Sequence, residues 1–384
     1  MKKVLVVNTK YKSFGGEDAN ILEEISFLER NYIVNYLEFD NSKQLNIYDM
    51  LGFLLLSNRN SNKLLKKTIK EFEPDFVYIH NTWFMANLGI FKILKKLNIK
   101  TFIKIHNFRF ICTSTFFAKK HLKSNEVCPM CGMEKSRSWV FNKYFEDSFI
   151  KSIFANFFGI SYLRMLKNYP VKLIVLNNFF RETLIASGFD KDKINISYNP
   201  LYIDFQNDYK ANSDYVVYAG LLSSQKGIVE LIKAWIKSNT ELKLFLIGDD
   251  KLVNKNLKDN TSSNIYYLGQ KENEEVINYI KNARAVVTAT KMFEGQPRLL
   301  TEASTLAIPS IYPSYGGMDE YFPEDYQYSY TQFKEEELID KIKLLDDSEL
   351  LKKESKRISE HINFLLDEKF MTDTFKKIVN QNVL

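Results

Sequence analysis

Short runs of β-branched and aromatic residues alternate along the chain with longer stretches whose apolar positions recur at helical spacing, the pattern of βαβ units on a parallel sheet. In the first half this predicts strands near Lys3 to Val7, Ile33 to Phe39, Phe76 to His80, Thr101 to His106 and Lys172 to Leu176. Helices are predicted at Glu17 to Arg30, Asn62 to Phe72 and Asn87 to Leu97. The stretch Ile111 to Pro170 breaks the rhythm, which restarts with Tyr215 to Ala219, Leu242 to Ile247, Ile265 to Leu268, Ala285 to Ala289 and Ile308 to Tyr312. A second sheet is the economical reading, so the fold class is α/β with two Rossmann-like domains.

The join is expected near Tyr198-Asn199-Pro200, because proline disfavours helical geometry in the residue before it and the polar stretch Asp204 to Asp214 suits an exposed connector. This gives a first domain over residues 1–199, with an insertion at about 111–170 and completion by 366–384, and a second domain over 200–365. The tail from Glu335 to Val383 has the charge density of solvated outer helices.

Composition narrows the partners. At 384 residues, 45% hydrophobic and 26% charged, the chain is an ordinary globular one, but 30 Phe and 22 Tyr exceed what a core needs and leave aromatic surface for a partner. A net charge of +6 favours an anionic partner, either a phosphorylated substrate or an acidic membrane face. Nucleic acid is not expected, since no dense Lys/Arg block is present. No apolar run approaches the roughly 20 residues of a membrane span. The opening run Val4 to Val7 is too short for a signal-peptide core, and three cysteines suit a reducing cytosol, so a cytoplasmic protein is expected.

Chemistry concentrates in Phe293-Glu294-Gly295-Gln296-Pro297-Arg298-Leu299-Leu300-Thr301-Glu302-Ala303, just after the apolar strand Ala285 to Ala289. Pro297 suits a first helical turn, which leaves Glu294 and Gly295 in the loop and puts Glu302 within the helix. Free N–H groups at the helix start can hold a diphosphate, while Glu294 can accept sugar hydroxyls and Glu302 ribose hydroxyls. The competing account makes one Glu a helix-dipole partner and the other a solvated face. Ala219-Gly220-Leu221-Leu222-Ser223-Ser224-Gln225-Lys226-Gly227 follows the first strand of the second domain. Lys226 would sit at the C-terminal sheet edge, where an ammonium can neutralise a departing diphosphate; otherwise it is a solvated loop lysine.

Taken together these segments resemble glycosyltransferase family 4 of the GT-B fold, over most of the chain. Its two glutamates separated by seven residues are matched by Glu294 and Glu302, its loop lysine by Lys226-Gly227, and its double-glycine loop by Gly15-Gly16-Glu17. Its donor-sugar histidine is matched by His106 in Ile105-His106-Asn107, an arrangement repeated in Ile79-His80-Asn81, and its later glycine loop by Ser314-Tyr315-Gly316-Gly317. The resemblance implies two domains facing across a cleft, with C-terminal helices packing back on the first. It implies a donor-binding set of Gly16, Gly220, Lys226, Glu294, Gly295, Gln296, Pro297, Arg298 and Glu302. An acceptor side of Gly15, Gly16, Glu17, His80 and Asn81 follows, with His106, Lys226 and Glu294 nearest the reaction.

What it implies of activity is a retaining, metal-independent hexosyltransferase with no cofactor, moving a sugar from a nucleoside diphosphate, UDP favoured. The acceptor would be a glycan or a lipid-diphosphate-linked glycan of a bacterial surface polysaccharide, at the inner face of the cell membrane. One departure stands out: many members pair the loop lysine with an arginine where this chain has Leu221, and Arg298 is the candidate replacement. That departure keeps a non-catalytic nucleotide- or glycan-binding partner open as an alternative, beside a sugar-nucleotide epimerase on the same fold.

Two further features stand apart. Cys112, His121, Cys128 and Cys131 could ligate zinc, but without a second Cys-x-x-Cys the spacing favours reduced, structural cysteines and no metal. Phe149 to Lys167 mixes Phe154, Phe157, Phe158, Ile160 and Leu163 with Lys151, Arg164 and Lys167, which suits either a membrane-surface helix or one packed on the first sheet.

Overall fold

A strand that is apolar at every position needs cover on both faces, and Val4 to Val7, fully buried, mark the centre of the first sheet. The computed structural model describes residues 1–10, 16–41, 52–115, 122, 126–133, 148–203, 209, 212–249 and 263–381. By internal contacts the chain divides into one unit of Met1–Leu201 with Glu368–Leu384 and another of Tyr202–Asp367.

The first unit holds a parallel sheet of β1 (Lys3–Lys10), β2 (Ile33–Asp40), β3 (Phe76–Ile79), β4 (Lys100–Lys104), β5 (Lys172–Val175) and β6 (Ile194–Ile196), in the order β2-β1-β3-β4-β5-β6. Its register pairs Val4 with Phe76 and Ile79 with Ile103. Helices α1 (Gly16–Glu29), α2 (Arg59–Phe72), α3 (Gly89–Lys96), α4 (Arg109–Thr113), α5 (Phe149–Asn168) and α6 (Asn178–Ala186) alternate with the strands. Side-chain caps start several of them: Asn58 Oδ1 accepts from Asn60 and Ser61 N–H, and Asn177 Oδ1 from Phe180 N–H, each satisfying donors a helix start leaves open.

Beneath this sheet lies a buried ion pair. Lys104 Nζ on β4 donates to both Glu24 oxygens on α1, at 2.6 and 2.8 Å, and to Tyr198 O at 3.1 Å. Tyr78 Oη on β3 donates to the same Glu24 at 2.7 Å. Every partner group is thus satisfied, the condition under which a buried pair is tolerated.

The second unit repeats the plan with β7 (Tyr215–Ala219), β8 (Lys243–Ile247), β9 (Ile265–Gly269), β10 (Ala285–Val287), β11 (Ser310–Ser314) and β12 (Ser329–Thr331), ordered β12-β11-β10-β7-β8-β9 and parallel. Helices α7 (Ile228–Ser238), α8 (Asn273–Lys281), α9 (Arg298–Thr305), α10 (Glu335–Lys343) and α11 (Ser348–Leu365) accompany it. The last helix, α12 (Glu368–Asn380), returns to the first unit, where Phe375 packs edge-on against Phe27 and Tyr32.

The pattern-based reading differs in detail. The edge strands β6 and β12 are absent from it, being three residues long with little periodicity to show. The strand expected to reach His106 ends at Lys104, and that expected to reach His80 ends at Ile79, so both imidazoles lie beyond the ladder. Ile308 to Tyr312 is displaced to Ser310–Ser314 because Ile308 completes the turn after α9 through its N–H to Ala303 O. The connector Asp204 to Asp214 lies mostly outside the described residues.

Candidate active site

Parallel sheets offer a ligand crevice where the strand order reverses, outside the C-terminal strand ends. In the second sheet the reversal falls at β7, which lies between β10 and β8, so the loops leaving β7 and β10 are neighbours. These loops carry Lys226 and Glu294.

Lys226 ends the one-turn 3-10 segment Ser224–Lys226, and Gly227 follows with φ +69°, in the left-handed region. A Cβ on Gly227 would stand 1.8 Å from Ala289 O, so only glycine lets the β7 loop press against the end of β10. Lys291 N–H donates to Gln225 O at 3.0 Å, tying the two loops through their backbones. Across this seam Lys226 Nζ meets Glu294 Oε1 at 2.5 Å, with both side chains part-exposed. Thr290 Oγ1 approaches the same carboxylate at 3.4 Å. From the other side, Glu294 N–H donates to Gly316 O at 3.3 Å, and Tyr321 Oη donates to Gly295 O at 2.9 Å.

Pro297 caps α9 rather than entering its first turn; Arg298 is the first helical residue, and the missing proline N–H costs nothing at either place. One turn on, Glu302 is buried, and Arg298 Nε donates to its Oε1 at 2.6 Å. The pair fixes the carboxylate's orientation while lowering its desolvation cost. Gly295 is buried and Gln296 half-buried in the lead-in to the helix. Gly220 closes β7, and Leu221, 47% exposed, brings no charge to the loop.

In the first sheet the reversal falls at β1, between β2 and β3. Beyond β3 and β4, His80 Nδ1 and His106 Nε2 lie 3.0 Å apart with their rings stacked at 5.3 Å. One proton serves that contact, so neutral rings satisfy it and a doubly charged pair cannot. Burial pushes His106 down to about 3, helped by the nearby Lys104 charge, and holds His80 well below its usual range with His106 and Lys104 adding to the effect. Both rings are therefore neutral at pH 7. Glu17, in the first turn of α1, is pushed up to about 7 by burial and by Asp18, against the pull of Arg109 and Asn107. Asn81 uses its amide on the backbone, donating to Thr9 O at 2.7 Å and accepting from Trp83 N–H at 2.9 Å, which makes it a brace for the turn after β3. Gly16 opens α1 and is exposed, whereas Gly15 and His121 lie outside the described residues.

The structure thus joins Lys226 to Glu294, Arg298 to Glu302, and His80 to His106. Thr290, Tyr321 and Gly248 escape the sequence reading. Gly248 ends β8 as Gly220 ends β7, and a Cβ there would stand 1.9 Å from Gly220 O. Its signal is present, an apolar run broken by glycine; Tyr321, on a different segment from the carbonyl it reaches, has none.

Comparison with known proteins agrees with this picture. No curated protein sequence matches the chain. Among solved structures, Anabaena Alr3699/HepE in complex with UDP and glucose is similar, with a TM-score of 0.71, 13% identity and 99% of each chain covered. So are sucrose-phosphate synthase from Thermosynechococcus elongatus, with a TM-score of 0.70, 12% identity and 98% of each chain covered, and the lipopolysaccharide outer core galactosyltransferase WaaB in its apo form. WaaB aligns at a TM-score of 0.63 with 16% identity, over 98% of this chain and 99% of its own. At such identities these likenesses speak for the fold. The family model for glycosyl transferases group 1 matches residues 203–363, the span that carries both paired carboxylates and the loop lysine. Residues 203–363 are accordingly similar to glycosyl transferases group 1, and the chain has the two-sheet GT-B fold of the solved structures it resembles.

Proposed function

We propose that the second unit binds a UDP-sugar through the loops after β7 and β10, and that the chain transfers the sugar with retention to a glycan or lipid-diphosphate-linked acceptor. The observation that carries this reading is the 2.5 Å contact of Lys226 with Glu294 at the switch point, one loop away from the Arg298–Glu302 pair. Two cations and two carboxylates arranged so are complementary to a diphosphate with hydroxyls on either side: Lys226 and the N–H groups opening α9 face the phosphates, Glu294 the sugar and Glu302 the ribose. Because each carboxylate already has a cationic partner, the arrangement suits hydroxyl recognition rather than capture of a divalent metal. The HepE neighbour, in complex with UDP and glucose, supports the choice of base.

His106 is assigned to the donor sugar. Its Nε2 is taken up by His80, and its Nδ1 is buried without a hydrogen-bond partner among the described residues. A neutral ring can donate or accept there without a desolvated charge. In this reading the leaving diphosphate takes the acceptor proton on the same face of the sugar, so no separate carboxylate base is needed.

A role in surface polysaccharide synthesis at a membrane draws support from α5. Its outward face carries Ile150, Ile153, Phe154, Phe157 and Ile160, all exposed, while Ser152, Ala155, Asn156 and Gly159 face inward. An apolar stripe turned to solvent is unusual for a surface helix and fits an interfacial one, with Lys151 and Arg164 supplying charge for anionic lipid. No helix among the described residues is long and apolar enough to cross a membrane. Ile150→Ser with Phe157→Ser is expected to abolish sedimentation with anionic vesicles; a wild-type chain that stays in the supernatant, or a double variant that sediments as before, would remove the membrane from the account.

Incubation with UDP-glucose, UDP-galactose or UDP-N-acetylglucosamine tests the reaction itself. A transferase converts the donor quickly only when glycan acceptor is present and preserves the anomeric configuration. Acceptor-independent isomerisation of the sugar would instead establish an epimerase, and binding without turnover a non-catalytic partner.

A further inference from the structure

The cysteines of the insertion converge. Cys112 lies in α4, and Cys128 and Cys131 lie in the loop Cys128-Pro129-Met130-Cys131-Gly132-Met133. Each is at most 5% exposed, and their sulfurs lie within 4.8 Å of one another, Cys112 Sγ standing 3.6 Å from Cys128 Sγ. Sulfurs ligating a tetrahedral zinc at about 2.3 Å stand about 3.8 Å apart, so this triangle closes on an ion with small side-chain rotations.

The loop backbone is shaped for the same task. Gly132 N–H donates to Cys128 O at 2.8 Å, and Cys128 N–H donates to Met133 O at 2.9 Å. Gly132 takes φ +73°, which a side chain would resist, and the resulting reversal brings Cys128 and Cys131 to one side. Around them Leu122, Met133 and Ala155 form an apolar sheath that keeps bulk water from the sulfurs. Packing alone gives no reason for three thiols to meet: a thiol is a weak hydrogen-bond donor, and an apolar side chain fills the same volume. A disulfide would use two sulfurs and strand the third. A thiophilic ion uses all three.

We propose that Cys112, Cys128 and Cys131 bind one zinc ion as a structural centre. Binding replaces the three thiol protons, which leave to solvent, and a nitrogen or oxygen donor fills the fourth position. Spacing alone favours structural cysteines without metal; the convergence of the sulfurs reverses that preference. The ion would fasten the loop to α4, which begins three residues after His106 and is clamped to α5 by Asn156 Nδ2 donating to Thr113 O at 2.8 Å. Its loss would therefore loosen the base of the exposed apolar helix while leaving donor binding on the second unit in place.

The test is metal analysis of the full chain purified without added zinc or chelator. About one zinc per chain is expected, with three sulfurs in the ion's first shell by X-ray absorption, and at least a roughly tenfold loss of zinc in Cys112→Ser or Cys131→Ser. Because such variants can fail to fold, the wild-type chain is also titrated with a mercurial, and zinc release is expected to track the blocking of its three thiols. Metal-free protein whose thiols titrate freely, a disulfide between any two of them, or zinc bound with fewer than three sulfurs would overturn the proposal.

Discussion

Lys226→Ala is expected to lower kcat about 10²- to 10³-fold, the loss that follows when one preorganised donor to a developing anion is removed. The ammonium is held by Glu294 at 2.5 Å and by a loop whose Gly227 leaves no room for adjustment, so it is in place before a diphosphate begins to leave. Charge grows on that diphosphate during the reaction, which makes the contact stronger in the transition state than in the ground state. The fall should therefore appear in kcat more than in KM. Lys226→Arg restores charge but not the compact geometry and should recover only part of the rate. The loop is part-exposed, so the unfolding midpoint should move little. Turnover by the alanine variant within twofold of wild type would remove Lys226 from the chemistry.

A second large effect belongs to the first unit. Glu24→Ala is expected to destabilise it by about 3–5 kcal/mol, because the substitution leaves a buried ammonium with one carbonyl for company. The Lys104 side chain is 0% exposed and that of Glu24 2%, so water cannot take over. Tyr78 Oη loses its acceptor in the same step. Glu24→Leu combined with Lys104→Met removes both charges and should restore most of the loss, which distinguishes an uncompensated charge from a cavity. Denaturant unfolding followed by tyrosine fluorescence measures both. A loss under about 1 kcal/mol in Glu24→Ala would mean that the pair is solvated after all.

Glu24 also shows where sequence pattern stops. Within the charged helix around it, a glutamate looks like any solvated side chain, and nothing local reveals that Lys104, 80 positions away in sequence, lies beneath it. The sheets were legible because strands such as β3, β5 and β10 are buried at every position and apolar at all, or all but one, of them. β6 and β12 are edge strands of three residues, too short for periodicity to register. The site divides similarly. Lys226, Glu294 and Glu302 could be picked out because loop glycines and a proline-led helix start mark a ligand-facing strand end. Their pairing, Lys226 with Glu294 and Arg298 with Glu302, depends on which strands are neighbours, which sequence order conceals. The Cys-x-x-Cys motif was visible, but the approach of Cys112 to it depends on how α4 meets a loop 16 residues on.

Amide hydrogen exchange in the presence and absence of UDP tests most directly whether the switch point of the second sheet holds the donor. Exchange is expected to slow at Gly220 to Gly227 and at Gly295 to Leu299, where backbone N–H groups would meet the phosphates, while the flanking strands stay unchanged. If UDP at saturating concentration slows exchange in neither segment, or only in regions remote from β7 and β10, the donor site has been put in the wrong place.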